Sequence, residues 1–274
     1  MDIIKSTLTV GAKKPFVFLH ISDIHLSETD ESESERRREF AAKRKKYFPF
    51  SIEAIRFTED YVKKTGYPLI NTGDMLDFIT PENLRIAKEF VSNTNMMMAS
   101  GNHEYWYCPN DRFHYDDVPE TYDAKDASLK KVSEALGVDI RFSRREIEGV
   151  NLVCIDDSDY CIDKEIFEKL KEVEAEGKPI ILFMHIPLFS EHLDYGAQCT
   201  LNAPPKYSEG CHPTAIWERT PDELTVEIYD YIRKSPLIKC VLSGHIHRSA
   251  EVMGVDEQDQ LITGFNTIRE VTVI

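Results

Sequence analysis

Residues 18–25 read FLHISDIH, an apolar run that gives way to an aspartate and, two positions on, a histidine. The same grammar recurs in INTGDMLD (70–77), MMASGNHE (97–104), ILFMHIPL (181–188) and VLSGHIHR (241–248). A short, nearly continuous apolar run is the mark of a buried strand, and a polar residue just past it sits at the rim of a sheet. In open α/β folds that C-terminal rim is where ligands bind. The five ends deliver Asp23 and His25, Asp74, Asn102 and His103, His185, and His245 and His247. Carboxylate, amide and imidazole brought to one rim predict a metal site.

Helical signals fall between these runs. Ser51 is read as the cap of a helix to about Lys64, stopped by Gly66; Thr80-Pro81 opens a second as N-cap and first helical residue. A third is expected over about Lys125–Leu136 before Gly137, and a fourth over about Asp163–Glu176 before Gly177. Thr220-Pro221-Asp222-Glu223 reads as a capping box for a fifth, with apolar Leu224, Val226, Ile228, Tyr229 and Ile232. Alternating strands and helices predict a layered α/β fold with largely parallel sheet. After His247 the chain is β-rich without a helical pattern, which predicts closing antiparallel strands. Three stretches fit neither pattern, about 26–50, 105–122 and 189–219; each follows a motif and is expected to line the site.

The chain has 274 residues, enough for one large domain over 1–274 with an ample core. Net charge is −15, from 33 basic and 48 acidic residues, which repels long polyanions and argues against a sequence-independent nuclease. No apolar stretch reaches the roughly 20 residues of a membrane span, and the N-terminal segment lacks a long apolar core. A cytoplasmic chain with no membrane partner is the expectation. The six cysteines form no Cys-x-x-Cys pair; Cys154 and Cys240 lie in apolar runs and read as buried thiols. Cys199 and Cys211 share a loop with His192 and His212, but that spacing fits no zinc pattern.

In order and spelling, Asp-x-His, Gly-Asp-x-x-Asp, Gly-Asn-His-Glu, a lone His and Gly-His-x-His resemble the calcineurin-like metallophosphoesterases, from Asp23 to His247. The resemblance implies an αββα fold, a two-sheet β-sandwich flanked by helices. It implies two divalent ions, with Asp23, His25 and His247 on the first, Asp74 bridging, and Asn102, His185 and His245 on the second. Two such ions would bring four positive charges against the two negative ones of Asp23 and Asp74, which suits an anionic ester. Imidazole with carboxylate and amide oxygen favours Mn, Fe or Zn over Ca or Mg. By the same resemblance a metal-bridging hydroxide is the nucleophile, with the ions about 3.5–4 Å apart. His103 matches the family's general acid, a role worth roughly 10²–10⁴ in rate. Asp77 and Glu104 are candidates to support ligating histidines on their second nitrogen.

The implied activity is hydrolysis of a small soluble phosphomonoester or phosphodiester. Position 77 is Asp where purple acid phosphatases carry a ligating tyrosine, so a coloured ferric centre is not expected. His185 is followed by Ile-Pro, without the doubled histidine of some nucleotide phosphodiesterases. Two alternatives stay open: a catalytically silent scaffold of the same fold, and a protein phosphatase. Tyr105-Trp106-Tyr107 either stack a base or aryl group of the substrate or pack a lid. Arg36–Arg38 and Lys43–Lys46 either reach a second phosphate or belong to a solvated helix, the reading that charge balance favours. His20 reads as a strand-core histidine with a backbone partner, His114, His192 and His212 as surface histidines, and Met96–Met98 as core.

Overall fold

The apolar runs become strands buried on both faces, and the alternation along each strand decides which layer a side chain joins. In the computed structural model, which describes residues 1–105, 123–193, 222–256 and 258–274, two mixed sheets lie face to face. The first contains β1 (Asp2–Leu8), β2 (Phe16–Ile21), β3 (Leu69–Asn71) and β4 (Met97–Met98), with the last strand, β11 (Thr267–Val273), between β1 and β2. The second runs β5 (Phe142–Ile147), β6 (Val150–Ile155), β7 (Ile180–Phe183), β8 (Ile238–Ser243), β10 (Gln260–Ile262), β9 (Ala250–Val252). The strands that carry the motifs, β2, β3 and β4 in one sheet and β7 and β8 in the other, are parallel to their motif-bearing neighbours. Their C-terminal ends therefore share a rim.

Between the sheets pack Phe18, Ile70 and Met97 against Leu152, Ile181, Phe183, Cys240 and Leu242. The Phe18 and Phe183 rings meet edge to face at 5.5 Å, a favoured aromatic geometry. The alternate residues Leu19 and Ile21 face the helices of the first side: α1 (Glu35–Arg44), α2 (Ser51–Thr65), α3 (Pro81–Thr94) and α4 (Asp123–Leu136). Val153, Ile155, Ile180 and Leu182 face α5 (Lys164–Glu174) and α6 (Glu223–Lys234) on the other. The α/β sandwich expected from the motifs is thus the fold.

Local expectations fared unevenly. Thr80 accepts a hydrogen bond from the Asn83 amide with Pro81 first in the helix, and Gly66 closes α2 at φ 68. Ser51 is not the cap of α2. Phe50 holds that position, and the Ser51 hydroxyl donates to the carbonyls of His25 and Phe48. The cap of α6 is Asp222, which accepts from the Thr225 amide; Thr220 and Pro221 lie outside the described residues. The stretch 26–50 is not irregular, since it holds α1, capped by Ser34. Of the other two stretches only Tyr105 and residues 189–193 are described. The tail closes both sheets: β9 pairs antiparallel with β10 and β11 with β2, while β10 joins β8 in parallel. β1, parallel to β11 at the sheet edge, was not anticipated.

Met96, Met97 and Met98 are core, and Cys154 and Cys240 are buried free thiols. Cys199 and Cys211, with His114 and His212, lie outside the described residues. His20 is fully buried, but its partners are the hydroxyls of Thr72 (2.9 Å) and Thr263 (2.8 Å), not the backbone. Burial, then the nearby Arg269, pushes its pKa down to about 3, so it is a neutral core residue. No helix among the described residues is long and apolar enough to cross a membrane.

Candidate metal centre

Three of the five motifs turn sharply as they leave their strands. Asp23, His25, Asp74, His245 and His247 all have positive φ, between 51° and 68°. Non-glycine residues in that region cost of order 1–3 kcal/mol each, and such strain collects at functional sites. The turns also pack backbone to backbone. The Asp23 amide donates to the Gly73 carbonyl at 3.0 Å and the His25 amide to the Asp74 carbonyl at 2.8 Å. This closeness explains the motif glycines: a Cβ on Gly73 would strike the Gly101 backbone, and one on Gly101 would strike Asp74. A Cβ on Gly244 would fall on the Ser22 hydroxyl and the Asp23 carboxylate.

Three donor groups result among the described residues; one is His25, Asp77 and His103, and the other two share Asp74. Asp23, His25, Asp74 and His247 have ligand atoms within 4.8 Å of one another, as do Asp74, His185 and His245. Asn102 adds its Oδ1, 3.1 Å from His185 Nε2. His25 Nε2 lies 3.0 Å from His247 Nε2, and His185 Nε2 lies 3.2 Å from His245 Nδ1.

Tautomers follow from the outer hydrogen bonds. The Thr72 carbonyl can only accept, so His185 Nδ1 carries the proton of that 2.7 Å bond and Nε2 keeps a lone pair. Asp77 Oδ1 accepts from His25 Nδ1 at 3.0 Å in the same way. Lone pairs of imidazole and carboxylate then point at common centres, which a cation satisfies. With protons as the only cations, burial would lower the His25 pKa, but hydrogen bonds to Asp23 and Asp77 outweigh it and raise it to about 9. Burial is likewise overcome at His185 by Asp74, to about 10. The surrounding histidines in turn hold Asp74 well below the usual carboxylate range against the opposing effect of its burial. Such charge pairing, with a donor set of imidazole, carboxylate and amide oxygen, fits Mn, Fe or Zn. Calcium, which takes oxygen ligands, fits poorly.

His103 is 8% exposed and donates Nδ1–H to the Asp77 carbonyl at 2.7 Å, so in the neutral ring Nε2 carries the lone pair. Burial pushes its pKa down to about 4, so the imidazole rests neutral until an anion draws near. Glu104 does not touch an imidazole. Its carboxylate accepts from the amides of Asp74 (2.8 Å), Leu76 (3.0 Å) and Gly101 (2.6 Å), gripping two motif turns at once. Tyr105 is buried in the core, its hydroxyl donating to the Ser158 carbonyl at 3.3 Å, so it has no face to offer a substrate. Trp106 lies outside the described residues.

A sixth strand end also reaches the site, and it was missed. The run Asn151-Leu152-Val153-Cys154-Ile155 ends β6 and is followed by Asp156-Asp157-Ser158-Asp159-Tyr160. Asp157 accepts from the amides of His185 (2.8 Å) and Ile186 (3.0 Å), fixing the turn that carries His185. The Tyr160 hydroxyl lies 2.9 Å from His245 Nε2, on the far side of the ring from the donor group. The rule that picked out the other five ends applies here as well. Arg44, which binds Asp77, and Phe48, which stacks on His25, carry no such signal.

The model of the calcineurin-like phosphoesterase family matches residues 16–249, most of the chain. The chain belongs to that family. No curated protein matches it by sequence. Among solved structures, a dimetal phosphatase from Danio rerio superposes with a TM-score of 0.51 at 11% identity, covering 91% of this chain and 87% of that one. A purple acid phosphatase from yellow lupin gives 0.47 at 12% identity, covering 94% of this chain and 44% of that one. At 11% identity the likeness to the Danio rerio phosphatase speaks to the fold alone.

Proposed function

We propose that this calcineurin-like phosphoesterase is a metal-dependent hydrolase of small phosphoric esters working through two divalent ions. The observation that carries the reading is the pair of donor groups sharing the Asp74 carboxylate. Asp23, His25 and His247 would hold one ion, Asn102, His185 and His245 the other, and Asp74 both. Ions bound there would supply Lewis acidity to the phosphoryl group and acidify an attacking water.

The chain's own residues do the rest. His103 is fixed by the Asp77 carbonyl so that Nε2 is the nitrogen that gives a proton to the departing alkoxide. A neutral His103 has no proton on Nε2 to give, so this role requires the imidazolium, which the negative charge of an ester bound beside it would favour. The His103 amide donates to Asp74 Oδ1 at 3.0 Å, tying the acid to the shared carboxylate. The exposed edge of His247, 39% accessible, marks the side on which a substrate would approach. The chain's net charge of −15 favours small esters over long polyanions.

The test is hydrolysis of para-nitrophenyl phosphate and bis-para-nitrophenyl phosphate by metal-stripped protein refilled with Mn²⁺. Turnover that needs Mn²⁺ and is lost in Asp74→Asn is the expected outcome, and the preferred ester separates monoesterase from diesterase. Two bound ions with no turnover of either ester would favour the scaffold reading instead.

A further inference from the structure

Arg44 and Phe48 lie between the first two motifs and belong to neither. Arg44 ends α1, and its guanidinium forks onto Asp77: Nε donates to Oδ2 and Nη2 to Oδ1, each at 2.5 Å. Asp77 Oδ1 in turn accepts from His25 Nδ1. The Phe48 ring lies flat on the His25 imidazole, with centroids 3.9 Å apart and planes 14° from parallel. Arg44 closes the circuit, its guanidinium carbon 5.1 Å from the Phe48 ring centre. Four side chains thus hold one another in a ring: Arg44, Asp77, His25 and Phe48.

Each contact removes a different freedom of the imidazole. Stacking on Phe48 sets the plane of the ring. The bond to Asp77 sets rotation within that plane and, by taking the Nδ1 proton, aims the Nε2 lone pair at the donor group. The planar fork of Arg44 engages both oxygens of the Asp77 carboxylate, which Ser27 also holds by donating to Oδ2 at 3.0 Å; a single-point cation would engage one oxygen. Ser51 anchors the same unit from behind by donating to the His25 carbonyl at 3.1 Å. Both Arg44 nitrogens that face Asp77 are engaged in this fork, so the guanidinium acts on the ligand's support.

We infer that Arg44 and Phe48 are positioning residues that set the orientation of His25 and, through it, the affinity of the ion site formed with Asp23 and His247. The inference rests on the metal reading proposed above. It gives the 26–50 segment, expected from the sequence to line the site, a role in building the centre.

The experiment is calorimetric titration of Mn²⁺ into metal-stripped wild type, Arg44→Ala, Arg44→Lys, Phe48→Leu and His25→Asn, with ester kinetics at limiting and saturating Mn²⁺. Wild type should take up two ions. Arg44→Ala and Phe48→Leu should each weaken one of the two affinities by about 10–100-fold and leave the other within about twofold, as loss of a ligand's outer partner does. His25→Asn should weaken that same site. Arg44→Lys should not restore it, since an ammonium has no fork. Turnover lost at limiting Mn²⁺ should return as Mn²⁺ is raised, with KM for the ester little changed. Wild-type affinities in both Arg44→Ala and Phe48→Leu would overturn the inference, as would a rise in KM at saturating metal, which would make Arg44 a substrate contact. Phe48→Leu keeps the bulk of the site and decides the matter where Arg44→Ala fails to fold. If wild type itself binds no Mn²⁺, it is the hydrolase reading that fails, and the inference falls with it.

Discussion

Gly244 sits between two turns that leave no room for a side chain, since its missing Cβ would overlap the Ser22 hydroxyl and the Asp23 carboxylate. Gly244→Ala should therefore destabilise the fold by about 1–3 kcal/mol, the usual cost of forcing atoms into a packed site. It should also weaken metal uptake, because the displaced group is the carboxylate that accepts from the His245 amide at 3.1 and 3.2 Å. Gly177 supplies the comparison. It has φ 70 and open space around its Cβ position, so Gly177→Ala should cost about 1 kcal/mol in backbone strain and leave metal uptake intact. Thermal midpoints with metal stoichiometry for the two variants check this; equal metal uptake in both would show that the crowding at 244 is absorbed elsewhere. These residues mark how legible the site was. Asp23, His25, Asp74, Asn102, His185, His245 and His247 each follow an apolar run, so sequence delivered them together. Arg44 and Phe48 sit on a helix end and the turn after it, where the sequence pattern speaks of a second phosphate or of solvated charge and not of support for a metal ligand. Their approach to His25 depends on how α1 crosses the rim, a tertiary fact with no local signal.

Helix α4 is fastened to the end of β6 by a buried charge cluster. Lys125, 2% exposed, places Nζ 2.7 Å from Asp159 and 3.1 Å from Asp156. Removing one partner of such a cluster strands the others, so Lys125→Met should cost about 3–5 kcal/mol. The cluster also makes an acid-sensitive joint. Burial alone would raise the Asp156 pKa, but Lys125, Ser100 and Ser158 bring it down to about 2 from an ordinary 3.8. The folded chain then resists protonation that the unfolded chain accepts. The contribution is full above pH 3.8 and falls away as pH drops towards 2. Denaturant midpoints at about pH 5 and about pH 3 should fall more steeply in wild type than in Lys125→Met; parallel declines would mean that other carboxylates carry the acid sensitivity. At this scale the sequence was clearest where one residue type does one job, as in the Thr80-Pro81 start of α3 and the Gly66 stop of α2. It was weakest where tertiary contact overrides the local cue. Ser51 looks like a cap, yet its hydroxyl serves His25.

The sandwich brings together at one rim residues that lie 224 positions apart in Asp23 and His247, and the carboxylates it gathers repel one another unless a positive charge, metal ion or imidazolium, lies between them. Strand periodicity does not announce this architecture, because β6 and β7 are buried on both faces and β8 is buried apart from Lys239, which hides their alternation. Edge strand β1 escapes for the opposite reason: its exposed positions alternate with half-buried ones, and only pairing with β11 makes it a strand. The ordered motifs supplied what periodicity left out. Stability of the whole molecule should accordingly be tied to the ions. An ion that binds only the folded chain stabilises it by about 2.7 kcal/mol at a hundred times its dissociation constant. For a domain of this size that is a rise in thermal midpoint of about 5–10 °C for each ion. Mn²⁺ added to stripped protein should raise the midpoint in this range, and a chelator should reverse it. Asp74→Asn should lose most of the increment, because one shared carboxylate stands between both donor groups. The variant should also start from a changed baseline without metal, since His185 then lacks the charge that raises its pKa to about 10. A midpoint that ignores Mn²⁺ in wild type would mean that the rim satisfies its own charges, and that the convergence of donors serves the fold alone.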